Sequence, residues 1–257
     1  MLALAWVNLA AMLVVIAVAL VLDGIPHDIP GVEVAWVSIY GLALVGALAA
    51  AFKSMTLGPV GLVSPVISTE GAFATLFGLA LGEAVGGTTG LALGLIVIGI
   101  VLSAIDTDPL GGGSMLAATA VNRKALSIGL ASAILFAISL VAASRCDTLG
   151  VPWTIAVGRV TGLLLITIPV LARQRLRRPT GAYRLLALNG AGDLLGFTLF
   201  LLATEDGVAV PAVLASQYAT ITALFGYFVF KERLKSWQWA GVILTIAGTA
   251  LVGATTG

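Results

Sequence analysis

The sequence predicts an all-α polytopic membrane protein of about nine spanning helices, and three observations carry that prediction. Hydrophobic residues make up 60% of the 257 residues and charged ones only 10%, with a mean hydropathy of +1.11, a composition unlike that of a water-soluble domain. Apolar runs of about 20 residues, the length a helix needs to cross the hydrocarbon core, follow one another along the chain. The runs are continuous rather than alternating in ten-residue pieces. Because lipid offers no hydrogen bonds to the backbone, continuous runs select helices over a barrel.

Taken in order, the expected spans are 1 to 22, 34 to 52, 60 to 81, 88 to 104, 126 to 144, 152 to 172, 184 to 203, 208 to 230 and 237 to 255. The first begins at Met1 with no preceding Lys or Arg and has no small-x-small cleavage signal near Asp23, so it reads as a retained helix. The connection Asp106 to Lys124 contains Gly111-Gly112-Gly113-Ser114, a flexible joint between two halves. The organisation expected is a first repeat over 1–105, a linker over 106–125 and a second repeat over 126–257.

The repeat is visible in the residues. The stretch Val208 to Val252 sets two apolar runs about the charged turn Lys231 to Lys235, and Pro59 to Leu102 sets two more about a turn containing Glu83. A shift of 149 positions pairs Gly58 with Gly207, Glu83 with Glu232, Gly99 with Gly248 and Leu102 with Leu251. Leu76-Phe77-Gly78 matches Leu224-Phe225-Gly226 with a slip of one residue. A half-length repeat in a membrane protein points to a carrier built from two related halves. In this register the first repeat has four helices and the second five, the first lacking its first helix.

Basic residues fix an orientation. Lys53, Arg123, Lys124, Arg173, Arg175, Arg177, Arg178, Arg184, Lys231, Arg233 and Lys235 fall on one side, and Arg145 alone on the other. The first side is therefore cytoplasmic, with the amino terminus inside and the carboxyl terminus outside. Asp23, Asp28, Glu33, Glu83, Asp147, Glu205 and Asp206 lie on the opposite side. The net charge of +1 gives no footprint for nucleic acid, Cys146 alone excludes an intrachain disulfide, and no cysteine-histidine cluster supports a metal. His27 reads as a solvated loop residue, and no cofactor is expected.

Three charged residues fall inside expected spans: Glu70, Asp193 and Arg159. Each would cost about 2.5 to 3.5 kcal/mol at the centre of a lone helix, so each should face a partner or a cavity. Arg159 should pair with one of the two carboxylates, and the other acid is then a candidate proton carrier. Asn189 lies one turn before Asp193 on the same face, while Gly192 and Gly196 have the small-xxx-small spacing of close helix contact. Ser216, Gln217, Tyr218, Thr220 and Thr222 give the 208–230 span too many polar groups to face lipid throughout. Ser64 and Ser68 share a face of the third span, with Glu70 about 200° from Ser68 on a regular helix. Ser132 and Ser139 could bond backbone or contact substrate. Pro65, Pro152, Pro169 and Pro211 can loosen helix bonding locally.

Gly207, the apolar run, Lys231-Glu232-Arg233-Leu234, Gly241 and Gly248 together resemble the end of an EamA-type domain of the drug/metabolite transporter superfamily. Gly58, Gly82-Glu83 and Gly99 repeat the pattern, and Arg159 resembles an arginine common in the second helix of that domain. The resemblance implies two inverted five-helix repeats about a cavity open alternately to each side, ten helices with both ends cytoplasmic, and export or exchange of small metabolites, amino acids, sugars or drugs. It carries the turn glutamates over as structural markers.

The function expected is secondary active transport of a small-molecule substrate across the lipid bilayer, coupled to protons. Glu70, Asp193, Arg159, Asn189, Gln217 and Tyr218 are the substrate-binding or coupling residues, and the carrier is a monomer or a homodimer in a bacterial inner membrane. No Gly-xxxx-Gly-Lys-Ser/Thr loop is present, which excludes an ATP-driven pump. Gly190-Ala191-Gly192-Asp193 resembles the signature of intramembrane aspartyl proteases, but that chemistry needs two aspartates and no other lies in an expected span. A non-transporting partner subunit or truncated paralogue is the remaining alternative.

Overall fold

The computed structural model describes residues 2–58, 60–104, 115–169, 183–217, 220–221, 224 and 236–256. Those residues are helical apart from short turns. The helices are α1 (Leu2–Leu22), α2 (Gly31–Leu57), α3 (Val60–Ile67), α4 (Glu70–Ala80), α5 (Gly87–Ala104), α6 (Met115–Ala143), α7 (Val151–Gly162), α8 (Tyr183–Leu202), α9 (Ala209–Ala215) and α10 (Ser236–Thr256). A π-helical stretch, Leu163–Thr167, continues α7.

Two helices run longer than expected. α6 begins at Met115 instead of 126, because Met115 to Ala125 contains neither glycine nor proline and is rich in alanine, so nothing stops the helix from running into the linker. α2 extends from Gly31 to Leu57 for the same reason at its carboxyl end, and stops at Gly58. The third span is not one helix but two, α3 and α4, parted at Ser68-Thr69. The 200° offset between Ser68 and Glu70 therefore does not hold, since regular rotation is interrupted between them. The glycine-rich joint 111–114, the turn Lys231 to Lys235 and the arginine run 173–178 lie outside the described residues.

The chain forms two compact units, Met1–Val45 with Ile138–Asp206, and Gly46–Ala137 with Gly207–Gly257. In the first, Tyr40 is buried, and α7 reaches it through a glycine: a Cβ on Gly158 would lie 2.6 Å from the Tyr40 hydroxyl oxygen. The Tyr40 ring stacks on Phe197 of α8 at 5.5 Å between centroids, and Phe197 on Phe200 at 5.7 Å. At one end, buried Glu33 accepts backbone N–H bonds from Thr148 and Leu149, each 3.0 Å, and the Trp153 indole N–H donates to the Gly24 carbonyl at 2.8 Å. The Glu33 bonds satisfy backbone groups in the loop before α7, and the Trp153 bond satisfies one in the connection between α1 and α2.

The second unit has α5 against α10. Its core gathers Ala92, Leu93, Ile96, Ile100, Ala209, Val213 and Val252. Gly99 and Gly248, paired by the repeat, both sit at this crossing. A Cβ on Gly99 would lie 2.6 Å from the Gly241 carbonyl oxygen, and one on Gly248 would lie 2.7 Å from Ile96 Cγ1. A second cluster, Ala51, Val63, Ile67 and Ala125, joins α2, α3 and α6. There Ser54 donates to the Ala125 carbonyl at 2.7 Å and Ser132 to that of Ala47 at 2.8 Å, so Ser132 bonds backbone. In both units small and hydroxyl residues face inward, while Leu13, Val21, Leu91, Leu188, Leu195 and Ile243 are exposed. That arrangement suits a lipid surround, which gives apolar side chains no reason to hide.

Candidate functional site

Two helices of the second unit are broken at equivalent places. In the first, the Ser68 N–H reaches the Ser64 carbonyl, but the Thr69 N–H reaches back only three residues to Val66 at 3.3 Å. The Thr69 hydroxyl bonds the same carbonyl at 2.7 Å, and the regular ladder resumes with Phe73 donating to Thr69. In the second, Ser216 donates to Ala212, Gln217 reaches only to Leu214 at 3.3 Å, the Ser216 hydroxyl bonds Val213 at 2.9 Å, and Ile221 then donates to Gln217. In each helix a three-residue turn interrupts the ladder and a hydroxyl bonds a carbonyl beside it: the Thr69 hydroxyl shares the Val66 carbonyl with its own N–H, and the Ser216 hydroxyl takes the Val213 carbonyl that the Gln217 N–H passes over. With the one-residue slip already visible at Leu76 and Leu224, Ser68 corresponds to Ser216, Thr69 to Gln217 and Glu70 to Tyr218. Pro65 and Pro211 lie upstream of their breaks in the sequence.

The two breaks meet. Gly71, the second residue of α4, lies directly against α9: a Cβ on it would be 2.6 Å from Ser216 Oγ, 2.7 Å from the Ala212 carbonyl oxygen and 2.8 Å from Val213 Cα. Only a glycine permits this approach. Around the crossing Ser68, Ser216, Thr220 and Thr245 are buried. The Gln217 amide donates to Thr249 Oγ1 at 2.9 Å, and the Thr220 and Thr245 hydroxyls are 3.5 Å apart. Glu70 opens α4 beside Gly71, half-buried, and forms no ion pair with any described residue.

In the first unit Arg159 pairs with Asp193, its Nη2 donating to Oδ2. Arg159 Nη2 sits on α7 one turn before the π-helical stretch, whose extra residue per turn re-aims the helix face that follows. The Arg159 side chain is 14% exposed and that of Asp193 51%.

The six residues named from sequence therefore separate. Arg159 and Asp193 come together in the first unit; Glu70 and Gln217 belong to the crossing in the second. Asn189 lies on α8 with its side chain outside the described set, and Tyr218 is outside the described residues altogether. The expected close packing at Gly192 and Gly196 is not found: no described atom comes within 4 Å of a Cβ on either, because α8 presents that face away from the helices it packs against. Thr69, Gly71, Thr245, Thr249 and Tyr40 were not singled out from sequence. The slip of one residue between the repeats marks where Thr69 and Gln217 would be found.

Among curated proteins none matches this chain. A solved structure described only as "Crystal structure of protein" superposes with a TM-score of 0.76 over 99% of this chain and 87% of that one, at 17% sequence identity, a likeness that shows the fold. A profile of the EamA-like transporter family matches residues 123–254, more than half of the chain. The apolar helices, the polar crossing of two broken spans and this match lead to one conclusion: the chain is an integral membrane protein belonging to the EamA-like transporter family.

Proposed function

We propose that the protein is a secondary active transporter, not an enzyme, that exports or exchanges a small metabolite, amino acid or drug by alternating access in a bacterial inner membrane, with proton coupling through Glu70. The observation that carries this reading is the meeting of two broken helices, one from each sequence repeat, with an ionisable side chain at one break. Corresponding interruptions in the two halves of a carrier are where substrate and ion sites form, because unwound turns expose carbonyls and hydroxyls that a continuous helix keeps bonded. Ser68, Thr69 and Gln217 offer polar contacts to substrate at this crossing. Asp193 is committed to Arg159, its charge balanced within the pair, and is not the residue proposed to carry a proton. Glu70 has no such described partner, so it is the carboxylate free to exchange one. Asn189 and Tyr218 complete the set proposed to contact substrate.

A thermal-shift screen of amino acids, sugars and cationic drugs on the purified protein identifies a substrate. Its flux into proteoliposomes is then followed under an imposed pH gradient. The expected result is gradient-driven flux in the native protein, lost in Glu70→Gln while exchange without a gradient persists. Gradient-driven flux at the native rate in Glu70→Gln rules out the coupling role.

A further inference from the structure

Glu83 occupies a position that two glycines have been left open to receive. α4 ends in a Schellman turn: the Glu83 N–H reaches the Gly78 carbonyl at 3.0 Å, the Gly82 N–H reaches Leu79 at 3.1 Å, and Gly82 has φ +93. That turn directs the Glu83 side chain across to α9, where its Oε1 accepts the Ala209 N–H at 3.0 Å. A Cβ on Gly207, which has φ +127, would lie 2.6 Å from the Glu83 carboxylate carbon, and one on Gly78 would lie 3.3 Å from it. The carboxylate therefore takes the space of two missing side chains and bonds the first N–H of α9, one of the donors a helix start leaves open.

We infer that Glu83 is a positioning residue for the crossing of broken helices. It ties the carboxyl end of α4 to the amino end of α9, and these are the two segments whose far ends carry Glu70-Gly71 and Ser216-Gln217. Thr75 reinforces the tie from the middle of α4, its hydroxyl bonding Gly71 at 2.9 Å and approaching the Ala209 carbonyl at 3.4 Å. α9 has only seven residues, too few to hold its place by its own helical bonding, so the register of Ser216 against Gly71 depends on how its start is fixed. The inference rests on the crossing being the transport site, but the tie itself is tested without transport.

In a Cys146→Ser background, Ser216→Cys places a thiol at the break and Ser54→Cys places one at the buried α2–α6 contact of the same unit. N-ethylmaleimide labelling of each is timed in detergent at neutral pH. Glu83→Ala is expected to raise labelling at 216 about tenfold or more and leave that at 54 unchanged. Glu83→Gln, whose amide oxygen still accepts the Ala209 N–H, is expected to restore the slow rate. Gly78→Ala should quicken labelling at 216 when Glu83 is present and much less when it is alanine, because the added methyl and the carboxylate compete for one space. Equal acceleration at 54 and 216, or none at either, overturns the inference. These outcomes are independent of whether Glu70→Gln abolishes proton-driven flux.

Discussion

Arg159 of α7 donates to the carboxylate of Asp193 on α8, thirty-four residues further along the chain, and this one ion pair among the described residues decides how the membrane-embedded charges are divided. It neutralises two of the three and leaves Glu70 to the other unit.

Breaking this pair from one side should cost more than removing it. Asp193→Ala removes the carboxylate that balances the Arg159 cation, 14% exposed, and is expected to lower stability by about 2 kcal/mol. Arg159→Gln with Asp193→Asn should lie closer to the native protein than either single change. Thermal unfolding in detergent, arranged as a double-mutant cycle, checks this, and an additive cycle contradicts it.

The α5–α10 crossing should tolerate no side chain at the two glycines that the repeat pairs. Gly99→Val and Gly248→Val each drive a side chain into backbone and are expected to cost about 3 kcal/mol or more, since overpacking of about 1 to 3 kcal/mol assumes neighbours that can move. Gly94→Ala, on the α5 helix with no described atom within 4 Å of the new methyl, should be neutral or slightly stabilising. Expression yield and melting temperature separate these outcomes.

Ser54→Ala and Ser132→Ala each remove an interhelical hydrogen bond to a carbonyl that is also bonded along its own helix. The expected loss is about 0.5 to 1.5 kcal/mol apiece. Substrate flux per folded molecule should not change, which distinguishes them from residues of the crossing.

Cys146, in the turn between α6 and α7, should react slowly. Burial first, and then the charge of Glu33, push its thiol from 9.0 up to about 11, so the nucleophilic thiolate is about 100-fold scarcer than in an exposed cysteine near neutral pH. Maleimide labelling of the native chain should be slow at pH 7 and rise with each unit of pH. The linkage has a definite sign. Below pH 9 folded and unfolded chains both keep the proton and stability is undiminished. Between about 9 and 11 the unfolded chain gives it up first, and stability falls. Fast labelling at pH 7 would show that the turn opens.

The sequence by itself determined the class of the protein, because composition and run length leave helices in a bilayer as the only way to satisfy so many apolar residues. It also determined the repeat, and with it the partnership of Gly99 and Gly248, and it required Arg159 to find a carboxylate. What only the tertiary structure decided were choices between partners equally distant in sequence logic. Asp193 rather than Glu70 meets Arg159, and Ser132 bonds the backbone of another helix. Gly192 and Gly196 meet no described residue, whereas Gly71 meets α9. Hydropathy and periodicity are averaged along one helix and register neither a single lapse in its hydrogen-bond ladder nor the neighbour that fills the gap. The breaks at Ser68-Thr69 and Ser216-Gln217, and the carboxylate of Glu83 lodged between two glycines, exist only once helices distant in the chain are brought within a few ångströms.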